Sequence, residues 1–97
     1  MYETTLLPIN GTEICLYEWR TGKPKAVICL IHGIGEYAGR YDRIGELFNS
    51  RNVALIGFDL PGHGLSAGVR GHAAPRRLLF EIIDRIVQIA EDKYPGL

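Results

Sequence analysis

Two short apolar runs, Ala26–Ile31 (AVICLI) and Val53–Phe58 (VALIGF), each lead into a glycine-rich loop. A continuous apolar run of this length marks a strand covered on both faces, as in parallel sheets. Glycine collects where a backbone turns sharply or approaches another group closely. Nine of the 12 glycines lie between residues 33 and 71, so the functional question is concentrated in the loops after these two runs.

The flanking sequence supplies the rest of an α/β pattern. Tyr2 to Ile9 is β-prone, Asn10-Gly11 is a two-residue hairpin signal, and Thr12 to Trp19 is the return strand. There Ile14, Leu16 and Glu18 alternate with Cys15, Tyr17 and Trp19. Tyr41 to Arg51 predicts a helix, with Tyr41, Ile44, Leu47 and Phe48 at helical spacing. Pro61 to Pro75 predicts a long loop. Arg76 to Tyr94 is the clearest helix, its apolar stripe formed by Leu78, Leu79, Ile82, Ile83, Ile86, Ile89 and Ala90. The order is a hairpin followed by a β-α-β-α unit with a right-handed crossover. Two parallel strands make a thin core for two helices, and covering a sheet on both faces takes more chain than this.

Composition narrows the function classes. Eleven basic and 11 acidic side chains give a net charge of zero, so no basic footprint draws the chain to nucleic acid. Hydrophobic content of 46% is that of a globular chain. The longest apolar run has six residues, against about 20 for a membrane span. No secretory signal is visible at Met1-Tyr2-Glu3-Thr4, and Cys15 and Cys29 read as an intracellular thiol pair, so the expected location is cytoplasmic.

The loops admit three chemistries. Gly33-Ile34-Gly35-Glu36-Tyr37-Ala38-Gly39 is one residue longer than the dinucleotide fingerprint, with Asp59 twenty residues past Gly39 as a ribose acid. Gly64-Leu65-Ser66-Ala67-Gly68 is a literal G-x-S-x-G, but a nucleophile elbow sits directly between a strand and a helix. Ser66 lies in mid-loop, with no acid between it and His72, so the expectation is a serine satisfying loop backbone groups. The third chemistry is an oxyanion hole. A His-Gly-x-Gly loop after an apolar strand can supply one backbone donor to a tetrahedral oxyanion, worth about 3–4 kcal/mol.

Three blocks carry a family resemblance: His32-Gly33-Ile34-Gly35-Glu36-Tyr37-Ala38-Gly39-Arg40-Tyr41, then Gly57-Phe58-Asp59-Leu60-Pro61-Gly62-His63-Gly64-Leu65-Ser66, then Arg70-Gly71-His72. Together with Lys93-Tyr94-Pro95-Gly96-Leu97 they resemble the start of a monoacylglycerol lipase or lysophospholipase of the serine-aminopeptidase-like branch of α/β hydrolases. The resemblance implies a partial α/β-hydrolase fold: the hairpin plus the β-α-β-α unit of a mostly parallel sheet, with helices on both faces. It implies that the Ile34 backbone N–H serves the oxyanion hole, and that Glu36 and Arg40 lie by the head-group pocket. A loop-fastening ion pair is the alternative for those two. His32, Gly33, Gly35, Asp59, Gly62, His63, Gly64 and Ser66 would shape the loops, with His32 a structural histidine rather than a base. No cofactor or metal is implied.

In that family the nucleophilic serine, the acid and the catalytic histidine come later than the segment matched here. The expectation is therefore a fragment, residues 1–97, of one hydrolase domain, carrying one oxyanion loop, no triad and no activity alone. Its partner in the whole protein would be a lipid ester, with peripheral membrane contact. The far edge of Ala26–Ile31 would be bare, inviting self-association or pairing with another chain. A non-catalytic module that completes its sheet with a second chain is the alternative function, followed by a small nucleotide-binding domain.

Overall fold

In the computed structural model, which describes residues 1–72 and 74–97, seven elements form. They are β1 (Glu3–Ile9), β2 (Thr12–Trp19), β3 (Ala26–Ile31), a 3-10 turn (Ala38–Tyr41), α1 (Asp42–Asn49), β4 (Val53–Phe58) and α2 (Arg76–Lys93). The sheet order is β1-β2-β4-β3. β1 and β2 pair antiparallel, as do β2 and β4, and β3 runs parallel to β4 with Ile31 opposite Phe58. The hairpin closes where Asn10-Gly11 predicts it. Both turn residues have positive φ, 47° and 81°, and Ile9 pairs Thr12 across them.

The alternation in β2 becomes two separate cores. Ile14 and Leu16 join Ile56, Phe58 and the α2 stripe of Ile82, Ile86 and Ala90 on one face. Cys15, Tyr17 and Trp19 join Leu55 and Ala38 on the other, beneath α1 and the 3-10 turn. Because both faces of β2 are covered, even Glu18 is buried, and its carboxylate receives Lys93 Nζ at 2.6 Å and Arg20 Nε at 3.3 Å. That pair ties the last turn of α2 to the end of β2.

Two expectations change in detail. α1 is shorter than Tyr41 to Arg51, and the residue it buries is Gly45, while Ile44 and Leu47 stand exposed. The Trp19 indole takes the room: a Cβ on Gly45 would lie 2.3 Å from its Cδ1, and Trp19 Nε1 donates to Asp42 Oδ1 at 2.9 Å. β3 is not covered on both faces. Among the described residues it pairs only with β4, and Cys29 and Ile31 are exposed, whereas β4 is buried from Ala54 to Phe58. The loop from Pro61 to Pro75 holds no helix or strand, residue 73 lying outside the described residues. Among the described residues no helix is long and apolar enough to cross a membrane.

Candidate functional site

β3 and β4 are parallel neighbours, so the loops after them leave the same end of the sheet side by side. That is where open α/β sheets bind ligands. The first loop begins at His32 and the second at Asp59, and the two are fastened to each other by buried polar groups.

Asp59 is the centre of that fastening. Its carboxylate is fully buried, and Oδ1 accepts the Ala38 N–H at 2.7 Å. Oδ2 accepts the Tyr17 hydroxyl at 2.8 Å and the Leu65 N–H at 2.9 Å. Three donors, one of them from the first loop, compensate the buried charge. Burial and then Asp59 push the Tyr17 phenol above its ordinary pKa, and burial, reinforced by Asp59, raises the Cys15 thiol. Cys15 is thereby kept a thiol rather than a nucleophile. Gly64 makes the arrangement possible: its φ is +48°, and a Cβ there would stand 2.3 Å from Asp59 Oδ2.

Ser66 is equally committed. Its Oγ donates to the Asp59 carbonyl at 2.6 Å and accepts the Cys15 N–H at 2.9 Å. It extends the β2–β4 pairing past the end of β4 and points at no histidine. The two histidines are crossed between the loops. His32 Nε2 accepts the Leu60 N–H at 2.9 Å, and His63 Nε2 accepts the Gly35 N–H at 3.0 Å. Each ring turns Nδ1 to a nearby carbonyl, Gly33 at 2.7 Å and Pro61 at 3.0 Å.

The first loop itself sits on this frame. Glu36 accepts the Gly33 N–H at 3.0 Å and the Tyr41 hydroxyl at 2.9 Å, with the Arg40 guanidinium 3.5 Å away. The Tyr41 hydroxyl first, then the Gly33 N–H, hold the Glu36 carboxyl below its ordinary pKa. Gly35 has φ +83°, the left-handed conformation that glycine takes without strain. Ile34 lies between these anchors, 66% exposed, and its N–H makes no hydrogen bond among the described residues.

The structure thus brings His32, Gly33, Ile34, Gly35, Glu36 and Arg40 into one loop, and Asp59, Gly62, His63, Gly64 and Ser66 into the loop beside it. Three participants were given no site role from the sequence: Tyr17, Tyr41 and Arg70, whose guanidinium reaches the Gly64 carbonyl at 2.9 Å and also the Ser66 carbonyl. A tyrosine on a buried strand needs a partner for its hydroxyl, which was the available signal for Tyr17. Asp59, with its oxygens occupied inside the fold, offers nothing to a ribose.

The chain is similar to known proteins along most of its length. The family described as serine aminopeptidase, S33, matches residues 22–97. Phospholipase YtpA of Bacillus subtilis (strain 168) is 38% identical over 71 residues, 73% of this chain and 26% of that protein. The monoglyceride lipase of Homo sapiens is 32% identical over 83 residues, 86% of this chain and 27% of that protein. A solved soluble variant of monoglyceride lipase from Saccharomyces cerevisiae, in complex with a substrate analogue, matches 100% of this chain and 33% of that chain. Its TM-score is 0.83 at 21% identity, a likeness of fold. The chain therefore spans only about a quarter to a third of these relatives' lengths. With its two parallel strands, its crossed loops and a family match over most of its length, the chain belongs to the serine aminopeptidase (S33) family of α/β hydrolases.

Proposed function

We propose that this chain is the amino-terminal part of a serine carboxylic-ester hydrolase of the acylglycerol lipase or lysophospholipase type, inactive alone. The observation that carries this is Ile34: an N–H without a partner among the described residues, on an exposed loop whose neighbours on both sides are pinned. An ester carbonyl oxygen accepting that N–H would gain most as it becomes an oxyanion, because the donor is already in place. Glu36 and Arg40, paired at 3.5 Å in the same loop, are the residues offered to a polar head group. The lipid ester and a peripheral contact with a lipid surface belong to the whole protein.

The side chains of the 97 residues support inactivity alone. The sequence has two serines and three histidines. Ser66 Oγ is occupied by Asp59 and Cys15, and Ser50 Oγ donates to the Leu47 carbonyl at 2.6 Å. Among the described residues no serine bonds a histidine, which supports the reading that no hydroxyl here is activated for attack on an ester.

A second proposal is a non-catalytic module that completes its sheet with another chain. The apolar β3 edge favours it, with Ile31 49% exposed, whereas the β1 edge carries Glu3 and Pro8, which discourage pairing.

One experiment separates the two. The chain is assayed with p-nitrophenyl esters alone, and again with the carboxy-terminal remainder of a related hydrolase supplied as a second polypeptide. Turnover is expected only in the mixture, and Ile34→Pro, which deletes the backbone N–H, should lower it by about 100-fold or more. Full turnover by Ile34→Pro would refute the oxyanion role. A discrete homo-oligomer that excludes the second polypeptide would favour the module.

A further inference from the structure

We propose that His32 and His63 are positioning residues: a reciprocal clasp of two neutral imidazoles that fixes the backbone on either side of the Ile34 N–H. The proposal deepens the hydrolase reading by naming what aims its oxyanion donor.

The geometry is symmetrical. His32 belongs to the loop after β3 and holds Leu60 of the other loop. His63 belongs to the loop after β4 and holds Gly35 of the first. The rings lie 5.4 Å apart between centroids, tilted at 52°, and both are buried. Each bond also dictates a protonation pattern. A backbone N–H can only donate, so both Nε2 atoms must be bare. A carbonyl can only accept, so both Nδ1 atoms must carry the hydrogen. An imidazolium at either position would aim an N–H at another N–H. Neither ring has a nitrogen left over for proton transfer to a substrate, so the two act through the loop rather than on the ester.

The consequence for the loop is local and specific. Gly33 is held from one side by Glu36, and Gly35 from the other by His63, at 3.0 Å in both cases. The Ile34 peptide between them has both ends anchored. Removing His63 frees the Gly35 end alone, while Glu36 and Asp59 still hold the rest of the loop through Gly33 and Ala38. Removing His32 frees the Leu60 N–H and the Gly33 carbonyl and leaves Gly35 held.

The test uses the 97-residue chain, uniformly labelled with 15N. The wild-type imidazole spectrum should show two rings as the Nδ1–H tautomer with unprotonated Nε2. A protonated Nε2 on either ring, or averaged ring signals, would overturn the clasp. Amide exchange then reads the backbone. His63→Phe should speed exchange at Gly35 about tenfold and leave Leu60 within about twofold, the size expected for one hydrogen bond. His63→Gln, whose side-chain oxygen can replace the acceptor, should restore Gly35. Unchanged Gly35 exchange in His63→Phe, or no rescue by glutamine, would overturn the proposal. In the reconstituted esterase, His63→Phe should lower kcat about tenfold with KM unchanged. Equal turnover there would overturn the positioning role. If even the wild-type mixture turns over no ester, the hydrolase reading falls, while the spectrum and exchange still decide the clasp.

Discussion

Replacing Asp59 by asparagine tests the loop frame most directly, because the two side chains have the same shape. The carboxylate accepts three donors, the N–H groups of Ala38 and Leu65 and the hydroxyl of Tyr17. An asparagine must turn its NH2 toward one side. On the Oδ1 side it opposes the Ala38 N–H, and on the Oδ2 side it opposes the Leu65 N–H. Either way one buried backbone donor loses its acceptor, at a cost of about 2 kcal/mol, and the remaining bonds fall from charge-assisted to neutral, about 1 kcal/mol each. Relief from burying a charge returns about 1 kcal/mol, leaving a net loss near 3 kcal/mol. Tyr17→Phe removes one donor and leaves the carboxylate its two N–H groups, so it should cost about 2 kcal/mol. A domain of this size holds about 5–15 kcal/mol in total, so both losses are large. Urea unfolding followed by the single, buried Trp19 reads them as midpoint shifts at constant slope. Asp59→Asn less destabilising than Tyr17→Phe would refute the three-donor account.

Gly45→Ala, normally a gain of about 1 kcal/mol inside a helix, should here destabilise by about 2 kcal/mol, because the new Cβ would meet Trp19 Cδ1 at 2.3 Å; a stabilised variant in the same urea assay would contradict the packing. The raised pKa of Tyr17 means the fold holds that proton more tightly than the unfolded chain, so its contribution is complete below pH 10 and is lost as pH rises beyond it. Thermal unfolding across pH 9–12 should lose up to about 1.4 kcal/mol per pH unit from this group, a slope that Tyr17→Phe removes. Glu36 has the opposite sign: its lowered pKa contributes stability above the unfolded value of 4.5, lost as pH falls through the folded pKa. Carboxyl 13C titration should place the Glu36 midpoint below 4.5 and move it upward in Tyr41→Phe; an unmoved midpoint would remove Tyr41 as the cause.

What the sequence makes legible follows the range of the interactions. The Asn10-Gly11 turn and the α2 stripe depend on local conformation and period, and both form as the pattern predicts. α1 does not follow its pattern, because Ile44 and Leu47 lose the interior to the indole of Trp19, 25 and 28 residues earlier in the chain, and only the glycine at 45 admits that approach. β3 and β4 are indistinguishable as apolar runs, yet one is an edge and one is interior. That difference lies in strand order, which a hydropathy pattern does not encode. At the site the motifs locate both loops, but the Tyr17–Asp59 bond spans 42 residues and the two histidine bonds 28 each. No local spacing rule announces such partners.

The strand order also explains why the loop frame can be built by this stretch of chain alone. β4 lies between β2 and β3, so the loop that leaves it borders β2 on one side and the β3 loop on the other. Ser66 and Asp59 take the first border, through Cys15 and Tyr17. His32, His63 and again Asp59 take the second, through Leu60, Gly35 and Ala38. A carbonyl oxygen gains from a donor only to the extent that the donor is already aimed before charge develops. Here every group of the frame around the Ile34 N–H comes from residues 15 to 66, ahead of α2. The placement of the Ile34 N–H is therefore a property of these four strands and their loops, and on the proposed hydrolase reading a nucleophile would meet it already aimed.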